Sequence, residues 1–159
     1  MDLIYLDFSK AFDKVPKLRL ISKLKAHGIV DYVLRWIGDW LTNRIQRVVL
    51  NGEFSEWAHV SSGVPQGSVL GPTAFIIFIN DIDQETSLVT SVMKFADDTK
   101  LGHIVRDEKD RDTLQSTLNN LLAWADKWGM KFNSDKCKVM HIGQQNSCYT
   151  YYMDGQKLK

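Results

Sequence analysis

Residues 92–105 read VMKFADDTKLGHIV, and this stretch decides the fold class. Two β-prone segments, Val92 to Phe95 and Thr99 to Val105, are separated only by Ala96, Asp97 and Asp98. A span this short is typical of a hairpin turn. The pattern therefore predicts two antiparallel strands joined by a turn that carries two carboxylates.

The rest of the chain alternates between helical and strand patterns. The predicted elements are a strand over 3–8, a helix beginning near Pro16, a helix over 31–42, a hairpin of 44–50 with 56–60 around Asn51-Gly52, helices over 72–83 and 107–128, and short strands over 138–142 and 149–153. This order predicts an α+β fold in which helices pack mainly on one face of an antiparallel sheet.

Composition narrows the class of protein. The chain has 159 residues, 44% of them hydrophobic, which suffices for one domain with a buried core. Twenty Lys and Arg against 19 Asp and Glu give a net charge of +1, so any nucleic-acid function must come from a local site. The longest apolar run, Ala74 to Ile79, is far short of the roughly 20 residues of a membrane span, so no membrane partner is expected.

The two cysteines, Cys137 and Cys148, show no metal-ligand spacing. They are expected to be reduced thiols, which favours an intracellular setting.

The carboxylates are the first candidates for chemistry. Asp7 lies at the end of the first predicted strand, and Asp97 and Asp98 lie in the hairpin turn. On adjacent strands these groups would repel one another unless cations bound between them, and hard oxygen ligands suit Mg²⁺. Two such ions support nucleotidyl transfer. The alternative is ordinary: an Asp-Asp pair in a turn is commonly solvated, and Asp7 would then cap local backbone.

The second candidate is the loop over 61–72, SSGVPQGSVLGP, which leads directly into a predicted helix. Glycine permits close backbone approach to a ligand, and Gln66 offers both a donor and an acceptor. Such a loop can hold the sugar and base of a nucleotide against a template. Alternatively, its glycines only satisfy turn geometry.

Together these segments resemble the motifs of reverse transcriptases of the LINE, or non-LTR retrotransposon, type. Residues 6–13 (LDFSKAFD) resemble motif A, residues 63–72 motif B, and residues 95–98 (FADD) motif C. Residues 128–137 (WGMKFNSDKC) resemble motif D, and residues 139–143 the start of the primer-contacting hairpin. The chain is accordingly identified, over residues 1–159, as the palm of such an enzyme.

The resemblance implies roles for individual residues. Asp7, Asp97 and Asp98 would be the metal-binding aspartates, with Asp98 expected to lie further from the ions. Lys136 would protonate or stabilise the departing pyrophosphate, although an exposed Lys is often merely solvated.

Five further residues are implied to contact substrate. They are Phe8, Ala11, Phe12, Gln66 and Gly67. The backbone near Ala11 would cradle the triphosphate, and Gln66 would contact the incoming nucleotide. Phe12 occupies the position of the family's steric gate against a ribose 2′-hydroxyl, and core packing is an equal alternative for its ring.

The implied activity is RNA-directed DNA polymerisation with Mg²⁺, which Mn²⁺ can replace, on an RNA template, a DNA primer and dNTPs. Fingers and thumb are largely missing, so a longer polyprotein is expected to supply them, in the nucleus where target DNA is primed. Two alternatives stay open: an inactive retroelement remnant or binding module, and a different palm polymerase that copies RNA into RNA or belongs to an intron.

Overall fold

The computed structural model describes residues 1–87 and 90–159, which form two compact units. The sheet unit comprises Met1–Ala11 and Ile79–Lys159, and the hairpin unit comprises Phe12–Phe78. The predicted α+β fold on an antiparallel sheet is confirmed. That residues 1–159 make up one palm domain stays a prediction.

The secondary structure elements are mostly short. The helices are α1 (Ala11–Lys14), α2 (Lys17–Ala26), α3 (Asp31–Leu41), α4 (Leu70–Ile79) and α5 (Glu108–Trp128), and a 3-10 helix covers Ile82–Glu85. The strands are β1 (Asp2–Leu6), β2 (Ile45–Gln46), β3 (Val49–Leu50), β4 (Glu53–Phe54), β5 (Ala58–His59), β6 (Ser91–Phe95), β7 (Asp98–His103), β8 (Lys138–His141), β9 (Tyr152–Met153) and β10 (Gln156–Lys157).

The sheet unit is built on a four-stranded antiparallel sheet with the order β6-β7-β1-β8. Central strand β1 places Ile4 opposite Leu101 of β7 on one side and Val139 of β8 on the other. Phe95 pairs with Asp98, so the β6–β7 turn is one residue shorter than predicted and Asp98 is already the first residue of β7.

The two faces of the sheet differ in burial. Alternate side chains of a strand point to opposite faces. Asp2, Ile4 and Leu6 are buried on what we call the inner face. Leu3 and Tyr5 are half-buried on the opposite, outer face.

Helix α5 lies against the inner face. His103, which pairs with Asp2 in the sheet and is likewise buried, has its Nε2 3.9 Å from the Asp110 carboxylate of this helix. The Asp107 side chain caps the amino end of α5 by accepting from the Asp110 amide at 2.9 Å, and Gly129, at φ 71°, ends the helix. The helix buries one apolar stripe: Leu114, Leu118, Leu121, Trp124 and Ala125. Leu122 and Trp128, which the sequence also placed in this stripe, are only half-buried.

In the hairpin unit, α2 begins after Pro16 and is followed by Gly28 in the left-handed region, as the sequence predicts. The buried Lys23 of α2 donates to the Phe78 carbonyl at 2.6 Å and thereby satisfies a carbonyl in the last turn of α4. Asn51-Gly52 forms the predicted hairpin turn, with φ values of 51° and 84°.

Several predicted boundaries were wrong, since the hairpin strands predicted over 44–50 and 56–60 also shorten to two-residue strands. The helix predicted over 72–83 covers Leu70–Ile79, and the 3-10 helix follows it separately. The strand predicted over 149–153 shrinks to β9, which pairs with β10 because Asp154 and Gly155, at φ 51° and 72°, turn the chain back sharply. In the described ranges no helix has the length and apolar character needed to cross a bilayer.

The buried carboxylate of Asp2 ties the start of β1 to the chain's last segment. It accepts from Tyr151 Oη at 2.6 Å and Asn146 Nδ2 at 2.7 Å, and it lies 2.8 Å from His141 Nδ1. Burial alone would raise the pKa of Asp2, but the hydrogen bonds from Tyr151, His141 and Asn146 outweigh it and hold the pKa below its ordinary value. Asp2 therefore stabilises the fold in its charged form.

We expect Tyr151→Phe to lower the free energy of unfolding by about 1–3 kcal/mol at neutral pH, since it leaves a buried carboxylate oxygen without its donor. A depressed folded-state pKa gives stability above the unfolded pKa that is lost as pH falls through the folded pKa. The variant should therefore begin acid unfolding at a higher pH, measured by circular dichroism in a pH series. Tyr152→Phe, which alters a half-exposed ring, is the matched control; equal acid midpoints for the two variants would contradict the assignment.

Candidate active site

A cleft of about 460 Å³ opens at the end of β1 in the sheet unit. Asp7 directly follows β1 and Asp98 begins β7; because Leu6 pairs with Thr99, the same register continued by one residue sets Asp7 opposite Asp98. We call this the acidic cleft. It is lined by Tyr5, Leu6, Asp7, Asp98, Thr99, Lys100, Lys136 and Lys138.

Residues 130–133 hold the backbone at Asp7 in place. The Asn133 amide donates to the Asp7 carbonyl at 2.8 Å. Phe8, whose side chain is buried, stacks on Phe132 with ring centroids 4.3 Å apart and meets the Trp124 ring at 6.3 Å. Phe8 is therefore a packing residue whose burial orients the Asp7 side chain before it.

Two buried polar atoms near the acidic cleft lack hydrogen bonds. Asp7 Oδ2 and Thr99 Oγ1 have no hydrogen-bond partner among the described residues, and Thr99, which pairs with the buried Leu6, points to the inner face. Lys136 Nζ lies 3.4 Å from Asp7 Oδ2, close enough for an ion pair but not aligned as a hydrogen bond. Buried polar groups are nearly always satisfied, so the Asp7 oxygen indicates a ligand site.

The acidic cleft fits a divalent cation with few protein ligands. Within residues 1–87 and 90–159 no group of three or more His, Cys, Asp or Glu is close enough to hold a metal ion. Mg²⁺ commonly binds through only one or two carboxylates together with waters and substrate phosphates. Asp7 and Asp98, with one unpartnered oxygen between them, match that type of site.

Asp97 occupies the tip of the β6–β7 turn, half-buried, and does not line the acidic cleft. Its role as a direct metal ligand stays a prediction. Cys137 lies beneath the site, its Sγ 3.9 Å from the Asp7 carbonyl, and burial raises the pKa of its thiol. Cys137 therefore stays protonated at neutral pH and is no nucleophile.

The remaining predicted substrate residues, apart from the buried Ala11 of the sheet unit, belong to the hairpin unit. Gln66 and Gly67 are exposed, and Gln66 Nε2 donates to Asp13 Oδ1 at 2.9 Å. Phe12 is half-buried and stacks on Phe75 at 4.4 Å, so its ring does pack within the unit while keeping an accessible part.

Asp13 organises the loop that carries Gln66. Its carbonyl accepts from Ser62 Oγ at 2.7 Å, while its carboxylate accepts from Gln66. Gly63 packs so tightly here that an added Cβ would lie 2.8 Å from the Asp13 Cα. The geometry fixes which end of the Gln66 amide is free: its oxygen, a hydrogen-bond acceptor.

The sequence of the chain matches a known protein family. Residues 3–154 match the family model described as "Reverse transcriptase (RNA-dependent DNA polymerase)". The chain belongs to this family. The RNA-directed DNA polymerase from mobile element jockey of Drosophila melanogaster is 29% identical over 98% of this chain, and that from transposon X-element of the same species is 32% identical over 92%. The chain spans only 18% and 16% of the lengths of those relatives.

A more distant relative of this reverse transcriptase chain is the Pol polyprotein of the type-1 retrotransposable element R2 of Popillia japonica, 26% identical over 86% of the chain and 23% of that protein. These relatives confirm the predicted non-LTR retrotransposon type. Among solved structures, telomerase from Candida albicans superposes with a TM-score of 0.65 at 16% identity, covering 98% of this chain and 29% of that one. Apo telomerase from Candida tropicalis gives 0.64 at 14%, covering 98% and 33%. The predicted palm-like fold is thereby confirmed.

Sequence reasoning on the reverse transcriptase motifs missed several side chains of the site. They are Tyr5, Thr99, Lys100 and Lys138 in the acidic cleft and Asp13 beside Gln66. The signal for Tyr5 and Lys100 was available, because every second residue counted from Asp7 and Asp98 shares their face of the sheet.

We expect Gly63→Ala to destabilise this reverse transcriptase chain more than Gly67→Ala. Both glycines have positive φ, 91° and 77°, and so share the left-handed strain of about 1–2 kcal/mol. Only Gly63 faces backbone at 2.8–2.9 Å, whereas Gly67 faces open space. The additional overpacking should cost about 1–3 kcal/mol, read from urea unfolding curves of both variants; equal losses would contradict the close approach of Gly63 to Asp13.

Proposed function

We propose that this chain is the catalytic palm of an RNA-directed DNA polymerase and that it transfers nucleotides to a primer 3′-hydroxyl by two-metal chemistry. The observation that carries the proposal is the acidic cleft, where Asp7 and Asp98 face one cavity and a buried oxygen of Asp7 has no hydrogen-bond partner among the described residues. Membership of the reverse transcriptase family supports the same activity.

Asp7 and Asp98 would hold Mg²⁺, or Mn²⁺ in its place, with Asp97 added as a ligand on the motif resemblance. A bound pair of such ions activates an attacking hydroxyl and stabilises the leaving oxygen of a phosphoryl displacement. The chain's own contribution is preorganisation. Because the Asn133 amide fixes the backbone of Asp7, the Asp7 carboxylate would be in position before the substrate binds.

Lys136 would act on the leaving group. Its ammonium reaches the acidic cleft at 3.4 Å from Asp7, yet two-thirds of its side chain is exposed, at 66%. The ammonium of such a long, exposed side chain can move towards the negative charge that develops on the leaving group. We assign to Lys136 the stabilisation or protonation of departing pyrophosphate.

The proposed substrates are an RNA template, a DNA primer and dNTPs. Backbone at Ala11 and the side chains of Phe12 and Gln66 would contact the incoming nucleotide, with Gly67 allowing close approach. Since the chain spans less than a quarter of each of the relatives compared here, the remaining polymerase surfaces would come from a longer polyprotein, acting in the nucleus where target DNA is primed.

The aspartates provide the direct test. In primer extension on an RNA template with dNTPs and Mg²⁺, Asp7→Asn and Asp98→Asn should each reduce the rate by on the order of a hundredfold or more, since each removes charge stabilisation from the reacting centre. Asp135→Asn, an exposed carboxylate outside the acidic cleft, is the matched control and should retain the rate.

The electron paramagnetic resonance signal of Mn²⁺ measures metal binding independently of activity. Binding should weaken in both cleft variants and persist in Asp135→Asn. The proposal is rejected if Mn²⁺ binding and extension survive the combined Asp7→Asn and Asp97→Asn changes.

In this proposal the Phe12 ring discriminates between dNTPs and rNTPs as substrates. Phe12→Val should raise rNTP incorporation relative to dNTP incorporation, because the ring that would meet a 2′-hydroxyl is gone, whereas Phe12→Tyr should keep the discrimination. Single-nucleotide incorporation with each substrate measures the ratio. An unchanged ratio in Phe12→Val would reduce Phe12 to its packing contact with Phe75.

A further inference from the structure

Two lysines flank Tyr5 on the outer face of the sheet. The register sets Lys100 of β7 opposite Tyr5 on one side and Lys138 of β8 opposite it on the other. Directly opposite residues in antiparallel strands point to the same face. The three side chains therefore form one row across the sheet, which we call the lysine row.

The charges of the lysine row are available to a ligand. Lys100 Nζ lies 5.0 Å from the centroid of the Tyr5 ring, a cation–π contact that holds it over the face. In the part of the chain that the structure describes, no carboxylate lies within 4.0 Å of the Lys100 or Lys138 ammonium, although Lys136 in the same cleft does pair with Asp7. Two ammonium groups thus share one wall without a counter-ion.

The position of the lysine row relates it to the acidic cleft. Tyr5 lies two residues before Asp7, and Lys100 lies two residues after Asp98. Two residues of a strand span roughly 7 Å. The side chains of the lysine row line the same cavity as those of Asp7 and Asp98. The outer face next to the row is uncovered, since Met93 and Met140 are each 49% exposed.

We propose that the lysine row binds the phosphate backbone of the nucleic-acid strand whose end enters the acidic cleft. The proposal rests on the polymerase function proposed above. Lys100 and Lys138 are two strand spacings apart, about 10 Å, which suits separate phosphates of a polynucleotide better than one compact triphosphate. The Tyr5 ring between them offers an apolar surface for a sugar or base. Because the whole chain carries a net charge of only +1, backbone binding requires a local concentration of positive charge, and this pair of lysines provides one.

The test is the salt dependence of binding. A fluorescent RNA–DNA hybrid with a recessed DNA 3′ end is titrated with the chain, without metal or dNTP, over a range of salt concentrations. Each phosphate contact contributes about 0.9 to the slope of log K against log salt, so Lys100→Gln with Lys138→Gln should reduce the slope by about 1.8. The affinity at ~0.1 M salt should fall by on the order of tenfold per lysine.

The matched control removes two exposed lysines from α5, which lies against the inner face: Lys109→Gln with Lys127→Gln. It makes the same change in net charge and should leave the slope unaltered. Lys100→Arg with Lys138→Arg should also restore the wild-type slope, since phosphate binding needs the charge. Circular dichroism establishes that the Gln variant is folded.

Equal slopes for the Gln variant and the α5 control would overturn the proposal, as would absence of measurable binding by the wild-type chain. Displacement of the hybrid by millimolar dNTP in the wild type, but not in the Gln variant, would also overturn it by assigning the row to a triphosphate. Primer extension is measured in parallel. Wild-type extension with equal slopes rejects only the lysine row, whereas a reduced slope without extension supports the row and counts against the polymerase proposal.

Discussion

The alternation of side chains along β1 is the constraint on which the rest of the sheet unit depends. Asp2, Ile4 and Leu6 are buried, and this fixes Leu3 and Tyr5 on the outer face. Because β1 pairs with strands on both sides, its register sets the register of the whole sheet. A slip of one residue would exchange the faces, bringing the outer side chains into the core. Apolar burial thus determines where the chemical groups lie.

The carboxylates at the two ends of β1 differ in how completely they are hydrogen-bonded. Asp2 is fully buried, with hydrogen bonds to both oxygens. Asp7, just past the other end, keeps a buried oxygen without a hydrogen bond and an ion pair with a largely exposed lysine. A fully satisfied carboxylate stabilises the fold, and a partly satisfied one lowers stability unless a ligand completes it. The site where binding is proposed therefore lowers the stability of the fold.

Periodicity and turn chemistry sufficed to predict the helices and strands that matter most. The predicted helices over 31–42 and 107–128 lie within one residue of α3 and α5, and Asn51-Gly52 turns as expected. The prediction that Asp7 and the Asp97-Asp98 turn lie on adjacent strands agrees with the register of Asp7 and Asp98, but Asp97 does not line the acidic cleft. The pairing of β9 with β10 was missed although Asp154-Gly155 is a typical hairpin turn, because each strand has only two residues and shows no alternating pattern.

Contacts between distant residues were equally out of reach of the sequence. The hydrogen bond from Gln66 to Asp13 spans 53 positions and depends on the close approach of Gly63, which local patterns do not encode. The neighbours of Tyr5 required the register of three strands that are far apart in the chain. The sequence indicates which residue types are present, but side-by-side placement on a sheet depends on global pairing.

The central position of β1 has a consequence for biosynthesis. This strand is translated before both of its neighbours, β7 and β8, which lie far along the chain. Until they emerge from the ribosome, both hydrogen-bonding edges of an apolar strand lack their native partners, a state that invites mispairing between nascent chains. Non-local pairing of this kind also slows folding. We therefore expect productive folding to depend on molecular chaperones that shield β1 during translation.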